Sequence, residues 1–155
     1  MDLSNFEVKL SQIVAAGFGL YTTVAIDAYD QIGTYTGPEE EILDYQFVHT
    51  KYDAPRKDYA MMVYKAGKWK EVDGRKCIFG KMNDDIKNEF GGSNVESNLK
   101  GELFASVDIA PGEELFLSYG ADYWHRKRGI TDEERRRLAR TGGVPKTPRR
   151  FTLLF

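Results

Sequence analysis

A tyrosine at the end of a short apolar run is the first residue whose position suggests chemistry. Tyr119 follows the run Leu115–Leu117, which has the length of a strand and comes after the turn-forming pair Pro111–Gly112. The phenol would stand where a strand leaves the core, and Tyr123 and Trp124 come soon after it. The alternative is that these aromatic residues are simply core, so a functional role depends on the rest of the chain.

Two glycines separated by one residue, Gly17 and Gly19, form a second candidate together with Phe18 and Leu20. A backbone without Cβ atoms can turn sharply and approach a ligand closely. The alternative interpretation is a tight hairpin without a ligand. The third glycine and the following helix of a dinucleotide site are missing, so this pattern does not predict such a site.

A polar stretch between residues 81 and 98 forms a third candidate. It holds four asparagines, several acidic residues and the pair Gly91–Gly92. Asn and Asp side chains cap their own backbone in turns, so one interpretation is a solvated connector. A loop this long in a small strand-rich domain is often functional, which is the other interpretation.

The elements that would position these residues are short strands. Runs rich in β-formers or with alternating polarity predict strands at residues 6–10, 31–37, 59–64, 69–72 and 103–107. Pro38 with the three glutamates that follow it predicts the first turn of a short helix running towards Phe47. Strands dominate and no βαβ alternation is present, which predicts a β-dominated domain.

Length and composition favour one globular intracellular domain. The chain has 155 residues with 41% hydrophobic and 13% aromatic content, enough for a core of its own. Cys77 is the single cysteine, which excludes an intramolecular disulfide and a multi-cysteine zinc cluster, and His49 and His125 lie far apart. No apolar run approaches the length of a membrane span, and the acidic N-terminus does not resemble a signal peptide.

The charge is divided between a body and a tail. Residues 125–150 contain ten Lys or Arg and three Asp or Glu, whereas the rest of the chain contains twelve basic and 21 acidic residues. An acidic body favours a basic partner through its long-range field, although part of that field could act on the chain's own tail.

Taken together and in order, these motifs resemble those of the SET domain, the protein-lysine methyltransferase family. The resemblance rests on Gly17–Leu20, Thr34–Gly37, Val72–Gly74, Met82–Asp84, Ser93–Asn94, Ile109–Leu115 and Ser118–Gly120. It runs from about Phe6 to Trp124, and the ending resembles that of small viral SET proteins that lack zinc-binding flanks. Two departures are Asp84, where family members usually have His, and a longer insertion between Asn83 and Asn94.

The resemblance implies a SET-domain (β-clip) fold of small twisted sheets with a C-terminal pseudoknot. Such a fold would bring the Asn83 loop, the Gly17 turn and Tyr119 together. The predicted boundaries are a SET domain over residues 1–125 and a basic C-terminal helix and tail over residues 126–155. The absence of flanking cysteine clusters implies that no zinc is bound.

The resemblance also implies S-adenosylmethionine as cofactor and assigns residues to the site. Tyr119 would be the central catalytic phenol and Tyr35 the second catalytic tyrosine. Both would line the substrate channel together with Leu117, and Tyr35 would form one of its walls. The cofactor-binding residues implied are Gly17, Phe18, Gly19 and Leu20 by backbone contact, Asn83 by its amide, Asp84, and Tyr123 or Trp124 against the adenine. Asp84 would either accept from the adenine amino group or cap a turn.

The C-terminal tail contains a candidate substrate lysine. Thr131–Glu134 has the pattern of a capping box and predicts a helix. Beyond it, Thr141–Lys146 resembles a lysine-bearing stretch of a core histone tail. One interpretation makes Lys146 an autosubstrate or pseudosubstrate, and the other is a solvated basic tail.

The function predicted is protein-lysine N-methylation that uses S-adenosylmethionine, with a basic, histone-like tail as substrate. The alternative is a non-catalytic SET-like binding module that has lost cofactor binding, for which Asp84 in place of His is the main support. A nuclear location and a homodimer are further expectations, whereas a membrane or nucleic-acid partner is not expected.

Overall fold

The computed structural model describes residues 2–41 and 59–118 and consists mainly of short strands. In chain order the described strands are β1 (Phe6–Leu10), β2 (Phe18–Thr22), β3 (Gln31–Thr34), β4 (Glu39–Glu41), β5 (Ala60–Lys65), β6 (Lys68–Asp73), β7 (Val95–Ser97), β8 (Glu102–Ala105) and β9 (Glu114–Leu115). Helix within these residues is limited to the 3-10 turns Leu3–Asn5 and Ile78–Lys81. None of the described helices is long and apolar enough to cross a membrane.

The strands form three small antiparallel sheets, with the orders β1-β2-β9, β3-β8-β7 and β4-β6-β5. Burial alternates along strands that place one face on the core: Leu103 and Ala105 in β8 are buried, whereas Glu102 and Phe104 are half-buried. The β-dominated fold predicted from the sequence is therefore confirmed.

One apolar core joins the sheets. Leu20, Ile32, Met61 and Leu103 are almost completely buried and come from β2, β3, β5 and β8. Phe6 of β1 and Phe79 of the second 3-10 turn meet edge to face, with ring centroids 5.3 Å apart. The core thus fixes the β1–β2 hairpin against the residues that lead into Asn83.

The helix predicted to start after Pro38 is wrong for residues 39–41, which form strand β4. β4 pairs with β6, and lysines beside it compensate the glutamate charges. Lys65 Nζ lies 2.7 Å from Glu39 Oε1, and Lys70 Nζ lies 3.6 Å from Glu39 Oε2. The hydrogen bond from Lys65 lowers the pKa of the Glu39 carboxyl. Strand pairing therefore overrides the local helix signal.

Phe116 and Leu117 lie between two segments that are distant from them in the sequence, one at Asn83 and the other at Asn94–Val95. Leu117 N donates to Asn83 O at 2.9 Å on one side, while Asn94 N and Val95 N both donate to Phe116 O at 3.0 Å on the other. Residues 116–117 thus form parallel bridges to Asn83 and to Val95. This insertion agrees with the predicted pseudoknot, and the residues that would follow it after Ser118 lie outside the described ranges.

Candidate functional site

The two glycines of the β1–β2 hairpin serve different purposes. Gly17 has a φ of +75°, in the left-handed region, and a Cβ there would meet no atom of the described residues within 4 Å. At Gly19 a Cβ would collide with the Glu114 carboxylate and would lie 3.3 Å from Asn83 Nδ2. Gly17 is therefore required for the turn, and Gly19 for space beneath the strand.

The structure brings Asn83 to the glycine hairpin. Asn83 follows the second 3-10 turn, and its half-buried amide Nδ2 donates to Phe18 O at 2.9 Å. Phe18 is 63% exposed, whereas Leu20 is fully buried in the core. Two of the predicted cofactor motifs, 65 residues apart in the sequence, are thus in direct contact.

Glu114 is a residue of this region that the sequence analysis missed. It is 1% exposed, and its carboxylate accepts hydrogen bonds from Ser11 Oγ at 2.7 Å and Gln12 N at 2.8 Å. It also accepts from Tyr21 OH at 3.1 Å and, more weakly, from Asn83 Nδ2 at 3.5 Å. We call these five residues the Glu114 cluster. The only hint in the sequence is the position of Glu114 directly before the apolar run, next to exposed Glu113.

Tyr21 contributes a neutral phenol to the Glu114 cluster. Its hydroxyl is shared between Leu10 O at 2.7 Å and Glu114 Oε1 at 3.1 Å. Burial raises the pKa of Tyr21, and the adjacent Glu114 carboxylate raises it further, because both disfavour a phenolate. Tyr21 therefore acts as a hydrogen-bond donor at neutral pH.

A second buried carboxylate organises the inserted loop after Asn83. Asp85 is 5% exposed and accepts from the backbone N–H groups of Glu89, Phe90 and Gly92 at 3.0, 2.8 and 2.8 Å. We call residues 85–92 the Asp85 loop. Capping of this loop is therefore performed by Asp85, and the role of half-buried Asp84 stays a prediction.

Asn94, at the end of the insertion that begins after Asn83, binds the returning segment through its side chain. Its Nδ2 donates to Glu114 O at 2.9 Å, and its Oδ1 accepts from Phe116 N at 2.7 Å. The carboxamide thus completes the backbone hydrogen bonding of the returning segment. Phe90 of the Asp85 loop stacks on Phe116, with ring centroids 6.1 Å apart.

Tyr35 and Leu117, the predicted channel residues within the described part of the chain, are both buried, at 3% exposure each. Tyr35 donates its hydroxyl to Tyr59 O at 2.5 Å. Its ring packs so closely on Gly74 that a Cβ there would collide with it. Leu117 bridges Asn83 and Val95. Both residues are held rigidly, and their channel roles stay predictions.

The remaining predicted site residues lie outside the described ranges. They are Tyr119, Tyr123, Trp124 and Lys146. The structure therefore assembles the glycine hairpin, Asn83 and Leu117, and the phenol assigned to catalysis is an expectation from the sequence.

The fold and the hairpin define a β-dominated domain whose chain returns between Asn83 and Asn94. The sequence profile of the SET domain matches residues 17–120, about two thirds of the chain. This protein belongs to the SET-domain family. No match was found among curated protein sequences.

Solved structures with the same fold include two human methyltransferase domains. The methyltransferase domain of human PR domain-containing protein 2 has a TM-score of 0.54 and 17% identity, with 73% of this chain and 75% of that chain covered. The methyltransferase domain of human histone-lysine N-methyltransferase SETMAR has a TM-score of 0.57 and 22% identity, with 76% and 45% covered. At such identities the likeness establishes the fold alone.

Proposed function

We propose that this protein is an S-adenosylmethionine-dependent protein-lysine N-methyltransferase. The observation that carries the proposal is that a SET domain spans residues 17–120 with Asn83 hydrogen bonded to Phe18 O. The contact joins the glycine motif Gly17–Leu20 to the motif Met82–Asp84, in which Asp84 stands where family members usually have His. Both motifs are those to which the resemblance assigns the cofactor.

The residues of the hairpin fit a ligand that contacts the backbone. No atom of the described residues lies within 4 Å of the Cβ position at Gly17, and Phe18 is largely exposed. Asn83 directs its Nδ2 to the protein, and within the described ranges no group donates to its Oδ1. In this proposal Gly17, Phe18, Gly19, Leu20 and Asn83 hold the cofactor, with Asp84 and Tyr123 or Trp124 beside it.

When bound, S-adenosylmethionine supplies an activated methyl group on a sulfonium. The protein has to present a lysine amine in its neutral form, although the pKa of lysine in water is about 10.4. An apolar channel disfavours the ammonium and lowers that pKa. We assign to Tyr35 and Leu117 the channel wall and to Tyr119 the phenol that orients the nitrogen. The hydrogen bond from Tyr35 to Tyr59 O would keep that wall rigid.

The proposed substrate is a basic protein tail, such as that of a histone. The acidic body of the chain favours a basic partner, and one structural neighbour is named as a histone-lysine methyltransferase. Leu117 stands where the family often carries a larger aromatic residue, so we expect room for more than one methyl group. Mass spectra of a histone peptide that contain monomethyl product alone would contradict this part.

Lys146 is proposed as an autosubstrate, and its test is separate. Intact-mass measurement after incubation with S-adenosylmethionine would reveal added methyl groups, and Lys146→Arg would remove them. A nuclear location and a homodimer also stand as proposals from the sequence, to be checked by cell imaging and by light scattering.

Calorimetric titration of S-adenosylmethionine and of its demethylated product tests the proposal. We expect binding to the wild type and at least about a tenfold loss of affinity in Asn83→Ala. Asn98→Ala is the matched control, because its amide caps the β7–β8 turn away from the hairpin. Tyr119→Phe should bind cofactor like the wild type but transfer methyl groups about 100-fold more slowly or worse.

The outcome that contradicts the proposal is a wild-type protein that is folded and binds neither molecule. That result would instead support the non-catalytic binding module. Binding without methyl transfer to any basic peptide would leave the cofactor assignment and remove the substrate assignment.

A further inference from the structure

The orientation of the Asn83 amide is fixed by the groups around it. An amide nitrogen can only donate, whereas an amide oxygen can only accept. Nδ2 of Asn83 lies 2.9 Å from Phe18 O and 3.5 Å from Glu114 Oε2, and both of these oxygens are acceptors. The nitrogen must therefore face the hairpin, and Oδ1 must face away from it.

The position of the Glu114 carboxylate is fixed by hydrogen bonds from residues other than Asn83. Oε1 accepts from Gln12 N and Tyr21 OH, whereas Oε2 accepts from Ser11 Oγ and Asn83 Nδ2. The missing side chain of Gly19 leaves the space that the carboxylate occupies. The two carboxylate oxygens therefore have different partners. Oε1 accepts from the hairpin backbone and the phenol, whereas Oε2 is the oxygen that reaches Asn83.

We propose that Glu114 is a positioning residue that fixes the orientation of the Asn83 amide and thereby sets the affinity for the cofactor. This inference rests on the proposed function, because it concerns the same site. Glu114 does not contact the substrate in this proposal and acts only through Asn83. Its buried carboxylate links the glycine hairpin to the segment after the second 3-10 turn.

The substitution Glu114→Gln distinguishes the contribution of Oε1 from that of Oε2, because it replaces only one of the two oxygens with an NH2 group. Gln12 N–H can only donate, so the retained oxygen must stay at the Oε1 position. The new amide nitrogen then takes the Oε2 position, where Ser11 Oγ can accept from it but Asn83 Nδ2 cannot. The substitution therefore keeps the hydrogen bonds to the hairpin. It destabilises the observed orientation of Asn83, because the new amide nitrogen would face Asn83 Nδ2 and both groups are donors.

We expect Glu114→Gln to weaken the binding of S-adenosylmethionine about tenfold in calorimetric titration. Ser11→Ala is the control, since it removes a different hydrogen bond to Glu114 and leaves Asn83 paired, and its affinity should stay within about twofold of wild type. A double-mutant cycle adds Glu114→Gln to Asn83→Ala, where the second change should cost less than about twofold. An equal loss in both backgrounds, or no loss in the wild-type background, overturns the inference.

A second readout needs no cofactor. The side-chain NH2 signals of Asn83 in a ¹⁵N correlation spectrum, assigned by their absence in Asn83→Ala, should move in Glu114→Gln and stay in place in Ser11→Ala. Unmoved signals in Glu114→Gln overturn the positioning role. If the wild type binds no cofactor, the proposed function and the affinity part of the inference fail together, and moved signals would then support the orientation of Asn83 alone.

Discussion

Two buried carboxylates lie near Asn83, and they organise their surroundings in opposite ways. Asp85 accepts from backbone groups four to seven residues further along its own loop. Glu114 accepts from side chains and backbone that lie 31 to 103 residues earlier in the chain. The first carboxylate shapes one loop, and the second joins three separate parts of the fold.

The difference predicts how each region fails. A loop closed by local hydrogen bonds can open by itself, because few other contacts depend on it. Its attachment to the core through the stacked rings of Phe90 and Phe116 limits but does not remove that freedom. Loss of Glu114, in contrast, removes a hydrogen-bond acceptor from the hairpin and from Asn83 at the same time, and among the described acceptors Asn83 Nδ2 keeps only Phe18 O. Substitutions at the two carboxylates should therefore differ in both size and reach.

The largest effect is expected for Glu114→Ala. It removes the carboxylate to which Ser11 Oγ and Gln12 N donate. Tyr21 OH and Asn83 Nδ2 each lose one of their two described acceptors, and we expect the free energy of unfolding to fall by about 3 kcal/mol. Urea denaturation measures this loss. Glu113→Ala is the matched control on the neighbouring exposed glutamate, with an expected change within about 0.5 kcal/mol. Equal losses in the two variants would contradict the role of Glu114.

The next effect is expected for Gly19→Ala, compared with Gly17→Ala. The added methyl at Gly19 collides with the Glu114 carboxylate, so we expect a loss of about 2 kcal/mol together with weaker cofactor binding. At Gly17 the cost to stability is backbone strain alone, about 1 kcal/mol, since no atom of the described residues would lie within 4 Å of the added methyl. Thermal unfolding of both variants measures the difference in stability. A larger loss of stability in Gly17→Ala than in Gly19→Ala would contradict it.

A smaller effect is expected for Asp85→Ala. The three backbone groups that it leaves belong to a loop at the surface, where water can replace the carboxylate, so we expect a loss of about 1–2 kcal/mol. Amide hydrogen exchange should rise within residues 85–92 and stay unchanged in β1 and β2. Glu89→Ala, on an exposed position of the same loop, serves as control. Faster exchange in the hairpin would break the distinction between a local and a long-range carboxylate.

The smallest effect appears only at alkaline pH and involves Tyr21. Its pKa in the folded protein is raised above the ordinary value of 10.0, so its stabilisation is complete below pH 10 and is lost as the pH rises through the folded pKa. The urea midpoint of the wild type should therefore fall above about pH 10. Tyr21→Phe, which cannot ionise, should show a shallower fall. Parallel curves for the two proteins would exclude Tyr21 as the titrating group.

Local signals in the sequence predicted most strands correctly. The alternation in residues 6–10 corresponds to β1, and the strands predicted at residues 59–64 and 69–72 correspond to β5 and β6. The same kind of signal failed at residues 39–41, because the lysines that pair with these glutamates stand on β5 and β6. Charge pairing between strands cannot be predicted from residues that are adjacent in the sequence.

The candidate site also has a part that the sequence predicted and a part that it did not. The order of the motifs indicated the family, the glycine pair and Asn83, and the SET-domain match over residues 17–120 agrees with it. Asp85, one residue after Asp84, caps this loop and was not predicted, whereas the role of Asp84 stays a prediction. Glu114 was counted within the motif Ile109–Leu115 but was given no role in the site, since an acidic pair before an apolar run looks like an ordinary strand start.

The sequence by itself determined most of the short strands, the family and the order of its motifs, because these depend on residue type and on spacing along the chain. Only the tertiary structure decided that Glu114 is buried, that Gly19 gives it room and that Asn83 Nδ2 faces Phe18 O. The physical reason is that a carboxylate tolerates burial only where donors converge on it. Here those donors come from positions up to 103 residues away, so their convergence is a property of the fold.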